Sequence, residues 1–311
     1  MSLPMKLFAA YVKRTRHSTW ASADRVREIM SRPRHSAAIP HELYQVNHVT
    51  GHEVTTDDGT FTVHSLVPAT DTPRDTPLDI CVYLHGGGYV NGLDDRHWKF
   101  VSDIAGAGMK VIVPDYGLAP EHTASSARTL LDRVIGDAAD EARDSGHRLC
   151  LAGDSAGGGL ALGWMLTTGR HDARDPVERI ALVSPWLDVS CTTEGLDALV
   201  DDDPWLHPDG LRVAGLAWAG ADTARGVDIH DPLVSPLAAP DTDLAALPPT
   251  AVWTGTRDIL HADALALGAR MHRTGATVDV HTCDGAVHVH PLTPTPEGKA
   301  AREEVIRWLS S

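Results

Sequence analysis

Basic residues are scarce beside acidic ones. The 311 residues hold 27 Lys and Arg against 42 Asp and Glu, a formal net charge of −15. Such a surface repels nucleic acid and anionic lipid, so neither is an expected partner. Cysteine is sparse too. Cys81, Cys150, Cys191 and Cys283 show neither a CxxC pair nor zinc-ligand spacing, which argues against a metal site or a redox motif. Cys81 and Cys150 sit in apolar, strand-like runs, where a buried reduced thiol is the expected state. No apolar run approaches the length of about 18 residues that marks a transmembrane helix. The opening MSLPMKLFAAYVKRTR puts a short apolar patch ahead of its charges. A signal peptide has the reverse order, so the expected location is cytoplasmic. Internal repeats and low-complexity segments are absent. What remains, 42% hydrophobic and 22% charged, is ordinary globular composition with length enough for a large core.

Residues 1–40 read as helical and amphipathic, with Leu7, Phe8, Tyr11 and Val12 on one face and breaks at Pro33 and Pro40. A β region follows over 43–67, with DDG (57–59) as a hairpin turn, and TDTPRDTP (70–77) reads as a loop. Strand-like runs then come at 79–84, 110–115, 148–153, 180–185, 250–255 and 277–283. Helix-like stretches separate most of them, at 95–107, 123–145, 156–169, 260–273 and 299–310. In the last, Ala301, Val305, Ile306 and Leu309 share a face. The alternation predicts an α/β fold with a mostly parallel sheet covered on both faces. No strand-like run falls in 186–249, which reads as inserted helix and loop within a single domain spanning 1–311.

In a parallel sheet, ligands gather at the carboxyl ends of the strands. There the sequence LAGDSAGGG (151–159) forms G-x-S-x-G between a strand and a helix. This is a nucleophile elbow: Ser155 stands at the tip of a tight turn, and Gly153 and Gly157 flank it because side chains would collide. A serine hydroxyl needs a base, and the base an orienting acid. In the order that this elbow implies, Asp258 lies just beyond the strand-like run 250–255 and His288 in the loop beyond the last one, with Asp263 and Asp284 as weaker candidates for the acid. HGGGY (85–89) ends another strand. Glycine costs backbone entropy and packs nothing. It lets an oxyanion approach the main chain, where N–H donors stabilise it. The N–H groups of Gly87, Gly88 and Ala156 are the expected oxyanion hole, with His85 anchoring the loop. A phosphate loop would need a Walker lysine or G-x-G-x-x-G spacing, which are missing here.

These residues resemble the bacterial hormone-sensitive-lipase-like esterases within the α/β-hydrolases. The likeness runs from about residue 80 to the C-terminus. It rests on HGGGY, DYGLAPEH (115–122), GDSAGGG (153–159), SPWLD (184–188), DPLVSPL (231–237) and the loops at Asp258 and His288. It implies an eight-stranded, mostly parallel sheet flanked by helices, with a helical cap from residues 1–40 and an insertion at 186–249. It also implies hydrolysis of short- to medium-chain carboxylic esters without metal or cofactor, and it allows a homodimer through the edge of the last strand. Gly117, Gly159, Ile259, the late Asp263, Val289 and His290 depart from the family pattern.

His288 and His290 lie two apart. In an extended segment only one could face Ser155. His288 takes the position of the family's histidine, which leaves His290 to line the pocket or reach solvent. The expected function is therefore a serine carboxylesterase acting on a small-molecule ester. The alternatives are a lactone or carbamate hydrolase, an acyltransferase, or a non-catalytic ligand receptor like the plant gibberellin receptors, which lack the histidine.

Overall fold

From residue 80 onward strands alternate with helices, as the strand-like and helix-like runs of the sequence predict. The computed structural model describes residues 1–69, 77–167 and 177–311. Most of the loop expected at 70–77 and the last residues of the helix expected at 156–169 lie outside these. An antiparallel hairpin comes first, β1 (Asn47–Thr56) and β2 (Gly59–Pro68), turning at Asp57–Asp58. Six further strands follow: β3 (Ile80–Leu84), β4 (Lys110–Pro114), β5 (Leu149–Asp154), β6 (Val177–Val183), β7 (Thr250–Arg257) and β8 (Val278–Val287). The sheet order is β1-β2-β4-β3-β5-β6-β7-β8, and every pairing from β4 to β8 is parallel.

The N-terminal helices are α1 (Leu3–Val12), α2 (Ser18–Trp20) and α3 (Ala23–Met30), with a π turn at Lys13–His17 between the first two. Between the strands come α4 (Asp95–Gly106), α5 (Ala124–Ser145), α6 (Ala156–Thr167), α7 (Pro208–Ala219), the short α8 (Asp241–Leu244), α9 (His261–Thr274) and α10 (Pro296–Ser310). α4 and α10 pack together, and so do α5 and α6. Strands β3 and β5 are buried along their length, and so are Ile180–Val183 of β6 and most of β7, which explains their continuous apolar runs: a parallel sheet has no wet face. Among the described residues of 186–249 no strand forms.

The chain moves from β3 to β4 on one side of β3 and then to β5 on the other. That reversal opens a crevice at the carboxyl ends of β3 and β5. Their register levels Leu84 with Gly153, so the glycine loop after β3 and the elbow after β5 emerge side by side.

α1 buries only part of the expected face, Val12 and in part Phe8, and adds Met5 and Ala9 to it. Met5, Ala9 and Val12 are buried, while Leu7 and Tyr11 are exposed. Met5 and Ala9 pack on Ala286 and Val287 at the end of β8. α3, the helix after Trp20, packs against α7.

Candidate active site

Ser155 sits between β5 and α6 with φ +51°, a left-handed conformation that costs about 1–3 kcal/mol and marks the elbow. A Cβ on Gly153 would lie 2.5 Å from the Gly157 oxygen, and one on Gly157 2.1 Å from the Leu84 oxygen. No side chain fits at either position. α6 begins at Ala156, so the positive end of its dipole faces the serine.

The His288 imidazole bridges Ser155 and Asp258. Its Nε2 is 2.9 Å from Ser155 Oγ, and its Nδ1 is 2.9 Å from Asp258 Oδ2. All three residues are buried. Burial alone would lower the pKa of the imidazole. The Asp258 carboxylate outweighs that and raises it, with Asp203 and Asp154 adding to the effect. The two rivals for the acid sit elsewhere. Asp263 accepts the N–H groups of Leu187 and Asp188, and burial pushes its carboxyl up to about 7. Asp284 is exposed and accepts from Thr256 Oγ1.

Val289 holds φ +47°, so the segment from His288 to His290 turns instead of running extended. Its N–H donates to Ser184 Oγ at 3.0 Å. His290 consequently neither lines the cavity nor reaches solvent, as the extended reading had it. It is buried under the turn, with Nδ1 unpaired, and burial lowers its pKa to about 4.

The glycine loop differs in its reason. Cβ atoms on Gly86, Gly87 and Gly88 would fall 2.2 Å from Asp154 Oδ2, 2.3 Å from the Asn91 oxygen and 2.3 Å from Trp20 Cη2. Gly87 and Gly88 also have φ of +120° and +63°. Close protein neighbours and backbone conformation therefore demand glycine, in addition to any ligand's approach. Among the described residues, the N–H groups of Gly87, Gly88 and Ala156 enter no hydrogen bond, which leaves them available. His85 is buried and stacked on Tyr116, with ring centroids 4.2 Å apart, and the Tyr116 hydroxyl donates to its carbonyl.

Several residues of this site carry no sequence signal. Asp154 receives Tyr83 Oη at 2.5 Å and the Gly86 N–H at 2.8 Å, tying elbow to loop. His97 lies beneath it, its Nε2 3.5 Å from Asp154 Oδ2 and its Nδ1 3.0 Å from Asp94 Oδ1. Burial would lower the pKa of this ring, but Asp154 and Asp94 raise it to about 9. The Asp94 amide is also 2.9 Å from Nδ1, a contact suited to a neutral ring; two carboxylates within reach favour the charged one. Asp203, from the 186–249 stretch, is buried and accepts N–H groups of Trp205, Leu206 and Ile259 at 2.7, 2.9 and 2.9 Å. Burial and the charge of Asp258 push its carboxyl up to about 7. Trp205 stands edge-on to the His288 ring, centroids 5.7 Å apart.

Two departures from the family pattern have packing reasons. A side chain at Gly159 would meet the Trp186 oxygen at 2.1 Å, and one at Gly117 the His122 ring at 2.1 Å. Over the site lies a cavity of about 430 Å³, whose lining includes Ser155, His288, Gly87, Gly88, Trp20 and Trp205. Among the described residues, no cluster of three His, Cys, Asp or Glu side chains could hold a metal ion. Nor is any helix among them long and apolar enough to cross a membrane.

A family model described as alpha/beta hydrolase fold matches residues 81–292. The chain belongs to the α/β-hydrolase family. Within it, the chain falls with the hormone-sensitive-lipase-like esterases. This α/β-hydrolase is 32% identical over 235 residues to an esterase of Acinetobacter venetianus, covering 74% of each chain. It is 31% identical over 234 residues to an acetyl-hydrolase of Streptomyces hygroscopicus, covering 71% of this chain and 72% of the relative. A crystal structure of a mutant of the esterase E40 superposes with a TM-score of 0.75 at 26% identity, over 100% of this chain and 99% of that one.

Proposed function

We propose that this α/β-hydrolase is a serine carboxylesterase for short- to medium-chain esters. The observation that carries the reading is the unbroken chain from Ser155 Oγ through the His288 ring to Asp258, with 2.9 Å at each step. Ser155 attacks the ester carbonyl while His288 Nε2 takes its proton. Asp258 holds the imidazole by Nδ1 and stabilises its charged form. The oxyanion is held by the N–H groups of Gly87, Gly88 and Ala156, each worth about 2.7–4 kcal/mol of barrier. His288 then returns the proton to the leaving alcohol. Water, activated by the same ring, cleaves the acyl-enzyme.

Residues 1–40 and 186–249 form the cap in this reading. Trp20 against Gly88 and Gly210, and α3 against α7, support it by joining both segments over the glycine loop. A ligand receptor would have no need of a histidine within hydrogen-bond reach of the serine. Turnover of p-nitrophenyl acetate by the pure protein, with stoichiometric fluorophosphonate labelling at Ser155, tests the proposal. Labelling elsewhere, with activity surviving Ser155→Ala, would refute it.

A further inference from the structure

The cavity over Ser155 does not share the acidic character of the chain. Three arginines line it, Arg16, Arg34 and Arg96, on a protein of net charge −15. The acids around it are already answered. Arg34 pairs with Glu121 and also donates to the Ala119 carbonyl. Arg96 pairs with Asp94, its Nε 3.0 Å from Oδ2. The His97 ring faces Asp154 below, its Nε2 3.5 Å from Oδ2. Arg16 is left over: it is exposed, and among the described residues its guanidinium has no hydrogen-bond or ion-pair partner.

Its position is fixed by its flanks. Arg16 lies in the π turn at Lys13–His17. On one side α1 is seated on the end of β8. On the other, Trp20 is wedged against Gly88 and α7. Arg96 projects towards the same space from α4, its guanidinium 5.1 Å from the centroid of Trp205, the ring that abuts His288. Nη1 of Arg96 has no partner among the described residues. A surplus cation in a cleft walled by two tryptophans focuses field lines and draws in anions that the rest of the surface repels. Arginine's planar fork suits a carboxylate better than a point charge would.

Taking ester hydrolysis at Ser155 as given, we propose that the preferred substrates are esters carrying a second, free carboxylate, which Arg16 and Arg96 bind while Ser155 attacks the ester.

The test compares matched esters. Mono-p-nitrophenyl adipate against p-nitrophenyl heptanoate puts the carboxylate on the acyl side. 5-Butyryloxy-2-nitrobenzoate against p-nitrophenyl butyrate puts it on the alcohol side. For at least one pair, kcat/KM should favour the anionic ester. That ratio should fall about tenfold or more in Arg16→Glu, the scale of one charge-assisted hydrogen bond, with a smaller fall in Arg96→Gln. Added salt should reduce it in the wild type. Equal or lower kcat/KM for both anionic esters overturns the proposal, as does a preference indifferent to Arg16→Glu. No turnover of the neutral esters is a different result: it refutes the esterase reading itself.

Discussion

Arg257 on β7 is in register with Val287 on β8, so Asp258 and His288 leave the sheet as neighbours. The hydrogen bond between them, 2.9 Å long, follows from strand pairing and not from either loop alone. Asp258→Asn should keep the fold but cut kcat by about 10³–10⁴-fold, because an amide favours the wrong imidazole tautomer. Circular dichroism checks the first half and steady-state kinetics the second. A variant with near-normal kcat would remove Asp258 from the mechanism.

Asp203 adds a second carboxylate beside Asp258. His288 must be neutral to accept the serine proton, and its pKa is raised. The rise of kcat/KM with pH should therefore centre above about 6.5, the ordinary histidine value. With its own carboxyl pushed up to about 7, Asp203 is charged only over the upper part of that limb; Asp203→Asn removes the charge there, so the limb should move slightly to lower pH. The amide also cannot accept on both sides, and stability should drop by about 1–3 kcal/mol. A pH profile identical to wild type would mean that Asp203 only braces the loop.

His290 is buried and its pKa is lowered to about 4. The unfolded chain takes up this proton near pH 6.5, the folded chain only near pH 4. The contribution of His290 to stability is thus present above that window and lost as pH falls through it, at up to about 1.4 kcal/mol per pH unit. His290→Phe should flatten the fall in Tm between these limits. An unchanged slope in thermal melts across the range would count against it.

Gly88 has φ +63°, and its missing Cβ would sit 2.3 Å from Trp20 Cη2. Gly88→Ala should lower both kcat and Tm, through backbone strain and the clash together. Trp20→Ala alone should destabilise by about 3–5 kcal/mol, as removing a buried aromatic does, and shift acyl preference. In the double variant the clash is gone but the strain remains, so the loss should be less than the sum of the two. Simple additivity in a double-mutant cycle would show that the two residues are not coupled.

The sequence by itself determined the sheet, the elbow, the glycine loop, and the candidate acid and base. Each is a local pattern: an apolar run that must be a buried strand, then a residue type that only the strand's end can use. The choice of Asp258 over Asp263 and Asp284 rested on its place just beyond such a run. Tertiary structure alone decided the rest. Met5 and Ala9 face inward because Ala286 and Val287 form their seat. Asp203 reaches Ile259 across the sheet's end, Trp20 reaches Gly88, and His97 reaches Asp154. These pairs are far apart in the chain, and neither partner's neighbours signal the other. A hydrogen bond or a ring contact depends on where two backbones meet, which spacing along one of them does not encode. The turn at Val289 belongs to the same class. Nothing in His-Val-His forbids an extended segment; the hydroxyl of Ser184, waiting at 3.0 Å, favours the turn.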